Sequence, residues 1–326
     1  MDAELEGRIK GAWDAYPHRN AVALMGSPGS GRTAVMAMLK YTATEYWDPE
    51  KTGIYATVAK GYDTVGKMLE GMRCGARPGV EPNGGGNEIR ITLQNVNGNT
   101  DDWEIIMGDT PGEDAVEILS SGRYGTSEAR LGRILETGMA HLLFATKYAI
   151  MVDCGGTGSR DSDGGRMAAA IRNLAGIKGI LPPGCPRGIT AAVVFTKADL
   201  LPAEYANAPS GDLLKPYKEL VHSLRTNGIK FKAFKSYVRS PVPGRHGGAQ
   251  RPRTGAATAG GIPGAGDGAR GSGPDERSIT NARARPGTSP APDAGGPGTA
   301  CRLWYPDAEY SALISWMIDR KNGGRR

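Results

Sequence analysis

Residues 20–42 read NAVALMGSPGSGRTAVMAMLKYT. The opening run, 20–25, is short, apolar and uninterrupted, the pattern of a strand buried on both faces of a parallel sheet. It passes directly into Gly26, Ser27, Pro28, Gly29, Ser30, Gly31, Arg32 and Thr33, then into a segment where Val35, Met38, Leu39 and Thr42 recur at helical spacing. Strand, glycine loop and helix in that order predict an α/β fold. The octet fits GxxxxGKT with Arg32 in place of the lysine. Glycines are needed there because successive backbone N–H groups must turn inward on phosphate oxygens at a helix N-terminus. Thr33 then offers its hydroxyl to Mg²⁺, and Arg32 reaches the outer phosphates. The bland alternative is a glycine-rich turn with no ligand.

Further along, Ile89, Ile91 and Leu93 alternate with polar residues, Asn97-Gly98 supplies a hairpin turn, and 103–107 returns as a strand. Asp109-Thr110-Pro111-Gly112 stands at the end of that strand. An aspartate there can hold Mg²⁺ through water, and the Gly112 amide can approach a γ-phosphate, although DxxG is also an ordinary turn. Two more apolar runs, 148–152 and 191–195, read as buried parallel strands. The second ends in Thr196-Lys197-Ala198-Asp199. A carboxylate at Asp199 can accept both the ring and the exocyclic N–H of guanine, a donor pair that adenine lacks, while the Lys197 stem packs along the base. A polar strand end with a solvated lysine and aspartate is the bland reading. Order favours the first. The three motifs fall in sequence, each at the C-terminal end of a strand, where doubly wound sheets bind ligands.

Composition sets the boundaries. The chain of 326 residues holds 49 Gly and 22 Pro. Residues 241–300 account for 15 of those glycines and 9 of the prolines, with no Phe, Trp or Tyr. Such a stretch buries too little apolar surface to offset its chain entropy, so a disordered insertion is expected. The rest divides into an N-terminal helical extension, 1–19, a nucleotide-binding domain, 20–240, and a C-terminal segment, 301–326. In the last, Pro306 opens a helix with Tyr310, Leu313, Ile314 and Met317 on one face, expected to complete the domain ahead of a basic tail. Residues 48–86 read as an insertion with one amphipathic helix marked by Val65, Met68, Leu69 and Met72. A helix starts near Arg166, and another shows Leu213, Tyr217, Leu220, Val221 and Leu224 on one face. The net charge of +6 is too mild to call for a nucleic-acid partner. Cys74, Cys154, Cys185 and Cys301 form no CxxC pair and the histidines are scattered, so no metal other than Mg²⁺ is expected, and a reducing cytoplasm fits. No run approaches membrane-spanning length, so no membrane is expected.

With these residues together, the chain resembles the P-loop GTPases of the translation-factor-related (TRAFAC) class. The antiparallel hairpin just before DTPG carries that likeness, and the helical insertion, DTPGE and late TKAD look most like the prokaryotic double-GTPase type. The resemblance covers about residues 20–240 and 301–320. It implies a three-layer α/β P-loop NTPase fold, a mostly parallel sheet with one antiparallel hairpin strand. It also implies a GTP/GDP switch acting on a protein effector or regulator, Mg²⁺-dependent hydrolysis, and moving loops after Gly112 and before Asn87. The nucleotide-binding set is Gly26, Ser27, Pro28, Gly29, Ser30, Gly31, Arg32, Thr33, Asp109, Gly112, Thr196, Lys197 and Asp199. Thr33 and Asp109 serve the metal, and Arg32, Gly112 and Glu113 the reaction.

Three positions depart from the family pattern. Arg32 keeps the lysine's charge but as a wide planar fork, so slow hydrolysis is expected. Glu113 stands where many relatives carry a water-orienting Gln. The loop GVEPNGGG before the hairpin has no threonine to serve as the usual switch ligand, and Thr52, Thr57 and Thr64 all lie upstream. Ser236 and Ser240 are candidates for the last guanine-loop residue, Arg123 and Arg130 for arginine fingers in cis, although such arginines are more often solvated helix charges. Asp153 and Cys154 read as packing and loop residues. The rival readings are a non-hydrolysing guanine-nucleotide scaffold, an ATP-using P-loop enzyme, and an RNA- or membrane-associated protein acting through its basic segments.

Overall fold

Strand β1 (Ala21–Met25) is buried along its whole length, and a strand without a solvent face needs helices on both sides of its sheet. Ala21, Ala23 and Met25 point into one core and Val22 and Leu24 into the other. The computed structural model describes residues 1–16, 20–43, 54–73, 88–95, 102–107, 115–155, 160–201, 205, 208–237 and 307–319. The insertion read over 241–300 lies outside them.

Six more strands extend β1: β2 (Ile54–Lys60), β3 (Ile89–Asn95), β4 (Trp103–Met107), β5 (Lys147–Asp153), β6 (Thr190–Thr196) and β7 (Lys230–Ser236). The order is β2-β3-β4-β1-β5-β6-β7. β1 pairs in parallel with β4 and β5, and β6 joins β5 and β7 in parallel. β3 runs against both of its neighbours. The fold is therefore the expected one: three-layer α/β, mostly parallel, with one antiparallel hairpin strand, the arrangement of P-loop nucleoside triphosphatases.

Helices α2 (Arg32–Tyr41), α3 (Tyr62–Arg73) and α9 (Asp307–Ile318) pack on one face of the sheet. On the other lie α1 (Ala3–Asp14), α4 (Ala115–Ser120), α5 (Ser127–Glu136), α6 (Ala140–Phe144), α7 (Arg160–Ile180) and α8 (Lys218–Thr226). Tyr310, Leu313, Ile314 and Met317 of α9 are all buried, as is Trp316. Several elements differ from the sequence reading. The segment 48–86 contains a strand, β2, besides its helix. Helix α7 starts at Arg160, six residues before Arg166. The face from Leu213 to Leu224 belongs to two pieces, a 3₁₀ turn (Ser210–Leu214) and α8, because Pro216 lacks the N–H that a continuous helix would need there.

Burial also sets an acid limit on the fold. His141 on α6 is packed away from water, which pushes its imidazole down to about 4. An unfolded histidine titrates near 6.5. Between those values the unfolded chain holds a proton that the folded chain refuses, so stability present above pH 6.5 is lost as pH falls toward 4. Linkage puts the loss at about 3 kcal/mol. His141→Gln should flatten this limb in denaturant titrations from pH 7 to 4. Parallel losses in both proteins would remove His141 as the cause.

Candidate functional site

The C-terminal ends of β1, β4, β5, β6 and β7 share one edge of the sheet, and loop 26–31 leaves β1 there. The loop is tight. Ser30 N–H donates to the Ser27 carbonyl at 3.0 Å, and Gly29 and Gly31 take φ of +76° and +83°. At Gly26 a Cβ would lie 2.4 Å from Ser30 Oγ and 2.8 Å from Met151 Cβ, so a side chain there would push the loop off β5. Gly31, the N-cap of α2, offers no side-chain acceptor to the first-turn N–H groups. Such a terminus favours an anion. The Ser30 hydroxyl is buried with no hydrogen-bond partner among the described residues.

Arg32 opens α2 and is 8% exposed, while Thr33 behind it is half-buried. A guanidinium at the positive end of a helix sits against the dipole, and burial adds a desolvation penalty. An anion at the same terminus offsets both.

The TKAD motif meets this loop. Thr196 ends β6; its Oγ1 donates to the Val152 carbonyl at 3.1 Å, and its own carbonyl accepts from Cys154 N–H at 3.0 Å. A Cβ on Gly31 would come within 3.5 Å of Thr196 Cβ. Two motifs far apart in sequence thus share one site at the sheet edge. No protein-family model and no curated protein matches this chain. Solved structures do overlap it, two GTPase-related ones among them. The signal recognition particle receptor SRb-GTP/SRX complex from Chaetomium thermophilum does so at 13% identity and TM-score 0.37, over 70% of this chain and 95% of that one. The ADP-ribosylation-factor-like GTP-binding protein, small COPII coat GTPase SAR1, from Encephalitozoon cuniculi in complex with GDP does so at 11% identity and TM-score 0.26, over 72% and 74%. Both overlaps are loose.

Beyond Thr196, Lys197 is in the left-handed region, at φ 54° and ψ 35°, and Asp199 follows, half-buried in a single 3₁₀ turn (Ala198–Leu200). Lys197 Nζ lies 2.5 Å from Asp153 Oδ2. Asp153 therefore does more than pack, which the sequence reading missed. The available signal is an acid closing the apolar strand next to the one that carries TKAD. Ser236 is level with Thr196 across the ladder, but its hydroxyl is engaged by Tyr310 at 2.5 Å.

Asp109, Gly112 and Glu113 lie outside the described residues, as do Thr52 and Ser240. The strand before them, β4, ends beside β1 at the same edge, with Ile106 level with Ala23. Thr57 is mid-strand in β2 opposite Thr92, a ladder position rather than a loop, and Thr64 lies in the first turn of α3. Arg130 is engaged structurally: its Nη2 donates to the Ser121 carbonyl at 3.1 Å and Nη1 to Gly125 at 3.4 Å, fixing the turn before α5. Arg130 is therefore buried against its own turn, not the solvated helix charge that is the commoner expectation. Arg123 lies over the Tyr124 ring at 5.8 Å. A separate cavity of about 410 Å³ between α1 and α5 is lined mostly by charged side chains, Asp2, Glu4, Arg8, Glu128 and Arg133 among them. None of the motif residues borders it.

Proposed function

We propose that this chain is a guanine-nucleotide switch that binds GTP with Mg²⁺ and hydrolyses it slowly to GDP and phosphate. The observation that carries the reading is the approach of Gly31 to Thr196, which brings a phosphate-type loop beside the strand end that carries the TKAD motif. Loop amides and Arg32 hold the phosphates. Asp199 accepts the two guanine N–H groups, and the Lys197 stem lies along the base. Mg²⁺ bound with a triphosphate takes only one or two protein oxygens, and Thr33 and Asp109 are hard donors of that kind. Half-buried Thr33, three residues after a buried Ser30 hydroxyl with no partner among the described residues, fits such a site. The metal, when bound, neutralises charge developing on the phosphate oxygens. Glu113 orients the attacking water, and no covalent chemistry is required of the protein.

The hairpin β3–β4 ahead of DTPG supports membership of the TRAFAC class, with the double-GTPase type as the finer reading. On this reading the loops flanking the hairpin switch with nucleotide and present a surface to a protein effector. Residues 241–300 are an insertion between β7 and α9. No described helix is long and apolar enough to cross a membrane, and we place the protein in the cytoplasm. Arg32 in place of lysine specifically favours a second reading, a guanine-nucleotide scaffold that does not hydrolyse.

Titration with GTP and ATP tests binding, and phosphate release separates the two readings. GTP is expected to bind well ahead of ATP. Arg32→Ala should weaken GTP·Mg²⁺ by at least about 2 kcal/mol, near thirtyfold, the scale of a charge-assisted contact, while Arg32→Lys retains affinity. Wild-type affinity in Arg32→Ala would mean that the loop does not hold phosphates.

A further inference from the structure

Asp153 closes β5 and Lys197 follows β6, on adjacent parallel strands whose ends are level, Asp153 beside Thr196. Both carboxylate oxygens are engaged. Oδ1 accepts the Gly155 N–H at 2.8 Å, and Oδ2 meets Lys197 Nζ at 2.5 Å. Lys197 is the one non-glycine with positive φ among the described residues, a conformation that residues bearing a Cβ avoid. Gly155 completes the arrangement. A Cβ there would lie 3.1 Å from Lys197 Cδ and 2.5 Å from Leu200 Cδ1, so the lysine stem passes over bare backbone. Turn, carboxylate and glycine together fix the direction of a side chain that is still 40% exposed. A lysine so exposed ordinarily samples many rotamers and loses that freedom when a ligand covers it.

We infer that Asp153 is a positioning residue for the purine, holding Lys197 extended so that its methylene stem is set in advance as the surface on which the base lies. The inference rests on the nucleotide reading above and deepens it. Stacking on a stem is indifferent to the edge of the base, whereas Asp199 reads that edge. Loss of Asp153 therefore weakens every purine nucleotide by one common factor and leaves the preference among them unchanged. The lysine end of the pair is open to solvent and asparagine keeps the Oδ1 acceptor for Gly155 N–H, so the fold stays intact.

The test is equilibrium titration of the full chain with fluorescent GDP and IDP, whose bases differ only by the 2-amino group, alongside thermal unfolding. Asp153→Asn is expected to weaken both on the order of fivefold to tenfold, the penalty for ordering one long side chain on binding, with the GDP:IDP ratio and melting temperature unchanged. Asp153→Glu should recover part of the loss. In a Lys197→Met background, where no charge needs the carboxylate, Asp153→Asn should add nothing. Unchanged affinity in Asp153→Asn overturns the inference. So does a shift in the GDP:IDP ratio, or an equal loss with Lys197→Met present, since either assigns Asp153 a different role. If Asp153→Asn fails to fold, the role is structural and the inference falls. Wild-type protein that binds ADP as tightly as GDP removes the guanine reading instead, and the common factor on both nucleotides still reports on Asp153.

Discussion

Asp199→Asn is expected to lower affinity for GTP by about a hundredfold and to make xanthosine triphosphate the preferred ligand. Donors and acceptors decide the preference. An ionised Asp199 only accepts, and guanine presents two parallel donors, the ring N–H and the exocyclic amine. An asparagine carries an amide nitrogen where one carboxylate oxygen stood, so a donor faces a donor and neither bond partner is satisfied. Leaving polar groups unpaired in a half-buried site costs about 2–3 kcal/mol, which is the source of the hundredfold figure. Xanthine carries a carbonyl in place of the amine and restores a donor–acceptor match with asparagine. Equilibrium titration of wild type and variant with GTP, ATP and xanthosine triphosphate decides it. Wild-type protein that binds ATP and GTP equally removes Asp199 from base recognition.

Asp199 was legible in the sequence because the strand before it is. Burial on both faces makes β1, β5 and β6 unbroken apolar runs, and a motif at the end of such a run has only one edge of the sheet to occupy. The alternation of Ile89, Ile91 and Leu93 likewise marked β3 as a strand. β2 escaped notice for the opposite reason. It is an edge strand whose burial toward the core rests on Ile54 and Ala56, with Ala59 and Lys60 exposed, so no run or alternation marks it. Leu142, Leu143 and Phe144 on α6 are all buried, and a helix without a polar face shows no helical period. The Asp153–Lys197 pair is legible only after strand order is known, since adjacency of β5 and β6 is what joins two charges 44 residues apart.

Lys147 shows the same limit at larger scale, and its replacement is expected to be the most damaging single change to the fold. In sequence it merely precedes the apolar run 148–152. In the fold it is fully buried at the head of β5, and its ammonium donates to the carbonyls of Trp316 at 3.0 Å, Met317 at 2.7 Å and Asp319 at 2.6 Å. The Trp103 ring centroid lies 3.8 Å from the same nitrogen. The last carbonyls of a helix lack intrahelical partners and form the negative end of its dipole, so three N–H donors on one cation close the end of α9. Lys147→Met keeps the stem but orphans three acceptors, two of them in buried contacts, at a cost of about 3 kcal/mol, and Lys147→Ala adds a cavity between Trp103 and Trp316 for about 4–5 kcal/mol in all. The same burial gives the contribution of Lys147 a pH dependence. Burial pushes the folded ammonium from 10.5 down to about 7 against the pull of Asp319. Between those values the unfolded chain keeps a proton that the folded chain has released, so wild-type stability rises from pH 7 toward 10.5, and the burial penalty is complete below pH 7. Neither variant can titrate there, so the deficit of each against wild type should be smallest near pH 6.5 and larger at pH 9.5. Urea unfolding at the two pH values measures it. A deficit under 1 kcal/mol would mean that Lys147 does not hold α9 to the sheet, and one that does not change with pH would mean that burial does not depress its ammonium.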